Sequence, residues 1–111
     1  MLIYKIFRPA EWQALQAQGT TSGAPVDLAD GFIHFSTAEQ MRETAAKHFA
    51  GAGDLVLASV DADALGAALR WEVSRGGALF PHLYRALALN EVHATHPLPQ
   101  GPEGHIFPET L

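Results

Sequence analysis

Cysteine is absent from the chain. Disulfides, thiolate metal sites and cysteine nucleophiles are therefore excluded, and the redox compartment leaves no mark on the sequence. Charge is sparse. Charged residues make up 17% of the 111 positions, and the net charge is −5 with histidines neutral. Such a chain has no broad positive field to hold nucleic acid by counterion release. DNA is not expected as a partner and RNA is doubtful, although a local basic spot suffices to hold one phosphate. No apolar run reaches the roughly 18 residues that span a bilayer, so no membrane partner is expected. The stretch MLIYKIFRP has Lys5 inside its apolar run and no small-residue cleavage site, so it does not read as a secretory leader. A cytoplasmic protein is the expectation. G-x-S-x-G, H-E-x-x-H, G-x-G-x-x-G and the P-loop are missing too, which removes the commonest hydrolase, metalloprotease and nucleotide-loop readings.

Hydrophobic residues account for 48% of the chain, enough for one modest core, and the length predicts a single domain over residues 1–111. Leu2 to Phe7 is rich in β-formers and bounded by Pro9, which predicts a strand. Trp12, Leu15 and Ala17 fall near helical spacing from Ala10 on, with Gly19 as the C-cap. Thr20 to Asp30 reads as a loop. Phe32 to Phe35 predicts a short strand, with Ile33 and Phe35 on one face and Phe32 and His34 on the other. Ser36-x-x-Glu39 and Thr37-x-x-Gln40 both fit a capping box, so a helix is expected from Ser36 or Thr37 to about Phe49. Leu55 to Val60 is the clearest strand, and Asp61 to Leu65 reads as a helical turn. Leu69 to Val73 alternates, placing Arg70 and Glu72 on one face and Trp71 on the other. A turn at Ser74 to Gly77 follows, and then an extended stretch to Leu87 in which Pro81 marks an edge or a bulge. Val92 to His96 is the last strand. The tail is expected either to be flexible or to pack back through His105-Ile106-Phe107 as an edge strand. Helices nearly vanish after residue 54, which makes the class α+β.

Two polar clusters stand out. DGFIHFSTAEQ delivers His34 to an expected helix start, where unpaired N–H groups and the positive dipole end hold anions; Ser36 and Thr37 add hydroxyls. The plainer alternative is a histidine at the core edge with a satisfied hydrogen bond. LRWEVSRGGALFPHLYR gathers Arg70, Glu72, Arg75, His82, Tyr84 and Arg85. Arginine holds phosphate bidentately, histidine serves as general acid or base, and Trp71 and Tyr84 offer faces for stacking. The plainer alternative here is a solvated hairpin. No metal site is expected: His93-x-x-His96 on a strand points its rings to opposite faces. His48, late in a helix, reads as structural.

The stretches Gly31-Phe32-Ile33-His34 with Ser36, Glu72 with Arg75-Gly76-Gly77, and Phe80-Pro81-His82-Leu83-Tyr84 resemble the bacterial family called domain of unknown function 952. The resemblance runs from Tyr4 to about Val92. More distantly, Ile33-His34-Phe35-Ser36, a helix, and Val56 to Ala62 look like the central part of tRNA 2′-phosphotransferases. That likeness implies a compact ADP-ribosyltransferase-like fold: a split, bent sheet with two main helices near the N-terminus and a cleft lined by His34. NAD as a cofactor follows from that likeness alone. NAD-using members commonly present histidine, then glycine and threonine, from the first strand, and here Tyr4-Lys5-Ile6-Phe7 stands in that place. The expected site has His34, Glu72 and His82 as catalytic residues. Lys5, Ser36, Thr37, Arg70, Trp71, Arg75 and Tyr84 are expected to bind the ligand, an anion or nucleotide-like small molecule. A binding or sensor module that keeps the pocket without turnover is the alternative.

Overall fold

Strand β1 (Leu2–Phe7) is apolar almost throughout, and it is buried from Ile3 to Phe7. It alternates between two cores. Ile3 and Phe7 pack on one side with Ile33, Phe35, Leu83 and Val60, whereas Tyr4 and Ile6 pack on the other with Met41, Ala45 and Leu57. A strand covered on both faces needs side chains of this kind in both registers. The structure, a computed structural model, describes residues 1–109, with the Arg75 side chain outside the described set.

Helix α1 (Pro9–Gln18) begins with proline at its first position and ends at Gly19, whose φ of 80° is the left-handed cap that glycine adopts without strain. The segment expected as a loop is folded instead. Strand β2 (Thr20–Thr21) is followed by helix α2 (Pro25–Asp30), again with proline at the start and a left-handed glycine, Gly31, at the end. Six residues cannot sustain a helix alone. Asp27 closes its first turn by accepting the Ala24 N–H at 2.7 Å. Strand β3 is only Ile33–His34.

The next helix, α3 (Met41–His48), starts later than the sequence suggests. Thr37 and Gln40 do exchange the capping-box bonds, Thr37 N–H to Gln40 Oε1 at 3.0 Å and Gln40 N–H to Thr37 Oγ1 at 3.3 Å, but these close a turn ahead of the helix. Ser36 caps nothing. Its hydroxyl lies 2.9 Å from Thr44 Oγ1, and its backbone is taken by Tyr4. The expected delivery of His34 to a helix N-terminus is therefore corrected.

Strand β4 (Leu55–Asp61) leads to α4 (Ala62–Leu65), capped by the Asp61 carboxylate. Strands β5 (Leu69–Val73), β6 (Leu79–Leu83), β7 (Leu87–Ala88) and β8 (Val92–Leu98) follow. Two antiparallel three-stranded sheets result, in the orders β1-β4-β8 and β3-β6-β5, and β2 pairs with β7. The class is α+β. The sheets meet where Tyr4 and Ser36 exchange backbone bonds, Tyr4 N–H to Ser36 O at 2.8 Å and Ser36 N–H to Tyr4 O at 2.9 Å.

Pro81 sits in β6, the middle strand rather than an edge. Its carbonyl accepts from Phe35 N–H, so its nitrogen also faces β3. Strand β3 ends at His34, and the missing N–H falls where the ladder stops. The tail packs back as a separate hairpin, β9 (Gln100–Gly101) with β10 (Gly104–His105), rather than as an edge strand of a main sheet. His105 Nε2 donates to Ala52 O at 2.8 Å, and Phe107 packs on the second core. No helix among the described residues is long and apolar enough to cross a membrane.

Leu57 is fully buried in the central strand β4. Leu57→Ala is expected to cost about 2–5 kcal/mol by urea denaturation. A loss under about 1 kcal/mol would show that the core is not packed as described.

Candidate functional site

A cavity of about 560 Å³ opens beside the junction of the two sheets. Lys5, Asp27, His34, Ser36 and His82 are among its buried or half-buried polar residues, with Arg8, Asp30 and His48 also on its lining. Its centre of charge is Asp27. The carboxylate is buried, accepts Lys5 Nζ at 2.9 Å through Oδ2, and holds the His34 backbone N–H at 3.1 Å through Oδ1. His34 Nδ1 lies 2.5 Å from the same Oδ1. Lys5, itself buried, also donates to the His34 carbonyl at 3.3 Å. Room for the carboxylate comes from Gly23: a Cβ there would stand 2.4 Å from Asp27 Oδ2.

Burial alone would push the Asp27 carboxyl up. The His34 hydrogen bond and the Lys5 charge outweigh it and hold the group down at about 2. Asp27 is thus ionised at neutral pH, and His34 Nδ1 must donate to it. The other nitrogen, Nε2, is 2.9 Å from the half-exposed carboxylate of Asp30.

His82 forms the second pair. Its Nδ1 is 2.8 Å from Glu72 Oε1, and Tyr84 donates its hydroxyl proton to the same oxygen at 2.7 Å. The Tyr84 and His82 bonds lower the Glu72 carboxyl, and the bond to Glu72 in turn raises the Tyr84 phenol. An ionised Glu72 makes Nδ1 the donor, and whenever the ring is neutral the lone pair is then on Nε2. That Nε2 is itself buried and has no hydrogen-bond partner among the described residues. Phe32 stacks on the His82 ring at 4.1 Å and 22°, and the His34 ring meets it edge-on at 5.3 Å. Two imidazoles, each with a carboxylate on Nδ1, therefore share one wall of the cavity. Among the described residues no group of three or more histidines and carboxylates is arranged to hold a metal ion.

The family model described as protein of unknown function (DUF952) matches residues 6–95. The chain belongs to this family. The crystal structure of protein CC0527 from Caulobacter crescentus is similar to this DUF952 chain at 55% identity and a TM-score of 0.91, over 95% of this chain and 92% of that one. The solution NMR structure of CC0527 is 56% identical with a TM-score of 0.84, over 94% and 90% of the two chains. No curated protein matches the chain in sequence.

Of the expected site residues, the DUF952 fold brings Lys5, His34, Ser36 and His82 to the cavity, with Glu72 and Tyr84 behind His82. It does not bring Thr37, Arg70 or Trp71 there. Thr37 is used in the turn before α3. Arg70 is exposed, with its guanidinium 4.9 Å from the Tyr84 ring centre, and Trp71 lies on the opposite face of β5. The Arg75 side chain lies outside the described residues. Asp27, Asp30, Phe32 and Arg8 are new to the site. Pro25 and Gly31 bracket α2 as a helix start and stop, and this signal marks Asp27 as a residue of a folded first turn rather than of a loop.

The folded Asp27 carboxyl is depressed from 3.8 to about 2. Its contribution, on the order of 2 kcal/mol, is whole above the unfolded value and is lost as pH falls through about 4 towards 2. Urea midpoints measured against pH are expected to show this acid-side slope in the wild type and a flatter one in Asp27→Asn. Equal slopes would mean that Asp27 is not held ionised by the fold.

Proposed function

We propose that the cavity serves a small enzyme acting on a nucleotide-like or phosphorylated small molecule, with His34 and His82 as its proton-transfer groups. One observation carries this reading: two imidazoles 5.3 Å apart on a single cavity wall, each with a carboxylate on Nδ1. A carboxylate at Nδ1 fixes the tautomer and supports the imidazolium that forms when Nε2 takes a proton. His82, with a lone pair on Nε2, is the base. His34, released by Asp30, presents Nε2 to the ligand as the acid. Arg8 on the cavity lining supplies a cation for phosphate, and the rings of Phe35, Phe49 and Phe80 give apolar walls.

The likeness to tRNA 2′-phosphotransferases agrees with two sheets that meet beside a cleft, and it favours a transferase of ADP-ribosyltransferase-like type. The NAD clamp of that fold is not reproduced, however. Lys5 stands on the first strand and is bonded to Asp27 and the His34 carbonyl, so it is not free to take the place of that clamp. A binding module without turnover is favoured by one feature: Asp30 occupies His34 Nε2 at 2.9 Å.

Histidine-ring ¹⁵N NMR, with adenosine 5′-phosphate, 2′-phosphorylated nucleotides, ADP-ribose and NAD as probes, tests the reading. Saturable movement of the His82 and His34 ring nitrogens is expected with a phosphorylated probe. Affinity should fall about 10–100-fold in His34→Ala or His82→Ala, as loss of a charged hydrogen bond implies. Mass spectrometry of the same mixtures separates the two forms of the proposal: a new product means an enzyme, and saturation without product means a binding module. No ring movement with any probe overturns both.

A further inference from the structure

Strand β5 is the outer strand of its sheet, paired with β6 on one side only. Exposed edges invite pairing, and proteins usually blunt them with proline, lysine or a bulge. Leu69–Val73 reads LRWEV, without proline or lysine, and its register with β6 has no shift.

The backbone parity of this edge is fixed. Neighbouring residues of an antiparallel strand turn their N–H and C=O to alternate sides. Ala68 O accepts the Tyr84 N–H at 2.8 Å, so Ala68, Arg70 and Glu72 face β6. Pro81 fits this arrangement: it lies opposite Trp71, and its carbonyl is turned the other way, to Phe35. Leu69, Trp71 and Val73 therefore face the open edge. The Leu69 N–H is taken by Gly66 O. The N–H and C=O of Trp71 and Val73, and the C=O of Leu69, have no backbone partner among the described residues.

The side chains follow a palindrome of charge about Trp71. An identical strand laid antiparallel, with Trp71 opposite the partner's Trp71, sets Arg70 against the partner's Glu72 and Glu72 against the partner's Arg70. Directly opposed charges of unlike sign stabilise a strand pair, and like charges oppose it. Glu72 spends Oε1 on His82 and Tyr84, while Oε2 has no partner among the described residues. On the other face Trp71 is 38%, Val73 69% and Leu79 53% exposed. Val73 and Leu79 lie directly opposite each other, and Trp71 is two residues along the strand from Val73. The strip is apolar on the face away from the charges.

We propose that β5 pairs antiparallel with β5 of a second copy about a two-fold axis at Trp71, forming a dimer in solution. The two Trp71 residues exchange both backbone bonds, and each Val73 N–H meets the partner's Leu69 carbonyl. The two apolar strips then lie side by side on one face of the joined sheet, Trp71 next to the partner's Trp71. A C2 contact of this kind is self-complementary and closed, so it ends at two chains rather than growing a fibre. The inference stands on β5 alone and holds whether or not the cavity binds a nucleotide.

Sedimentation equilibrium of the whole chain tests it. The wild type is expected at twice the chain mass at high concentration. Arg70→Glu sets glutamate against glutamate, and Trp71→Pro removes an edge N–H that β6 does not use. Each is expected to run as a monomer, with dimer affinity at least about tenfold lower and an unchanged far-UV spectrum. Glu72→Arg alone is likewise expected as a monomer, and an equal mixture of Arg70→Glu and Glu72→Arg is expected to recover the dimer as a heterodimer. Recovery requires folded chains, so it separates lost pairing from lost folding. A wild type that stays monomeric, a dimer that survives Arg70→Glu or Trp71→Pro, or a mixture that stays monomeric overturns the proposal.

Discussion

The buried ion pair between Lys5 and Asp27 is the constraint on which the rest of the site depends. It joins the first strand of one sheet to the short helix that precedes the other. Burying two charges is costly unless geometry and further hydrogen bonds satisfy them. Here Asp27 accepts from Lys5, Ala24 N–H and the backbone and ring of His34, and Lys5 reaches the His34 carbonyl as well. The pair thereby fixes the backbone and ring of His34 at once. It also explains why a six-residue helix persists where propensity alone would leave a loop.

The two histidines are supported in different ways, and the difference bears on chemistry. His34 is held by a deeply buried carboxylate through Nδ1 and meets a half-exposed one, Asp30, through Nε2 at the cavity surface. His82 is itself buried, stacked on Phe32, and leans on Glu72 at the sheet surface, where Tyr84 shares the carboxylate. One ring has both nitrogens engaged; the other has a buried Nε2 without a partner among the described residues. The proposed division into one acid and one base rests on these unlike settings.

Local features of this fold were legible in the sequence. The apolar run of β1, the Gly19 cap of α1, the helical turn that follows β4 and the alternation of β5 each follow from residues within one element or its flanks. The Glu72, His82 and Tyr84 cluster was legible as well, because one hairpin carries all three. The Asp27 network was not. Its bonds to Lys5 span 22 positions, and its neighbours on both sides are the Ser, Gly, Pro and Asp residues that ordinarily mark loops. Ser36 misled for the same reason: the S-x-x-E pattern is local, but a long-range bridge to Tyr4 claims its backbone, and Thr44 its hydroxyl. Pro81 entered a central strand because its neighbour β3 is two residues long, a fact that no window around Pro81 contains.

A double-mutant cycle on Lys5→Met and Asp27→Asn tests this organisation most directly. Each single change leaves a buried polar or charged group without its partner, and is expected to cost about 3–5 kcal/mol in chemical denaturation. The double variant is expected to cost clearly less than the sum, with a coupling of about 1–3 kcal/mol. Costs that simply add, to within about 0.5 kcal/mol, would contradict the view that one buried pair ties the first strand to the histidine wall.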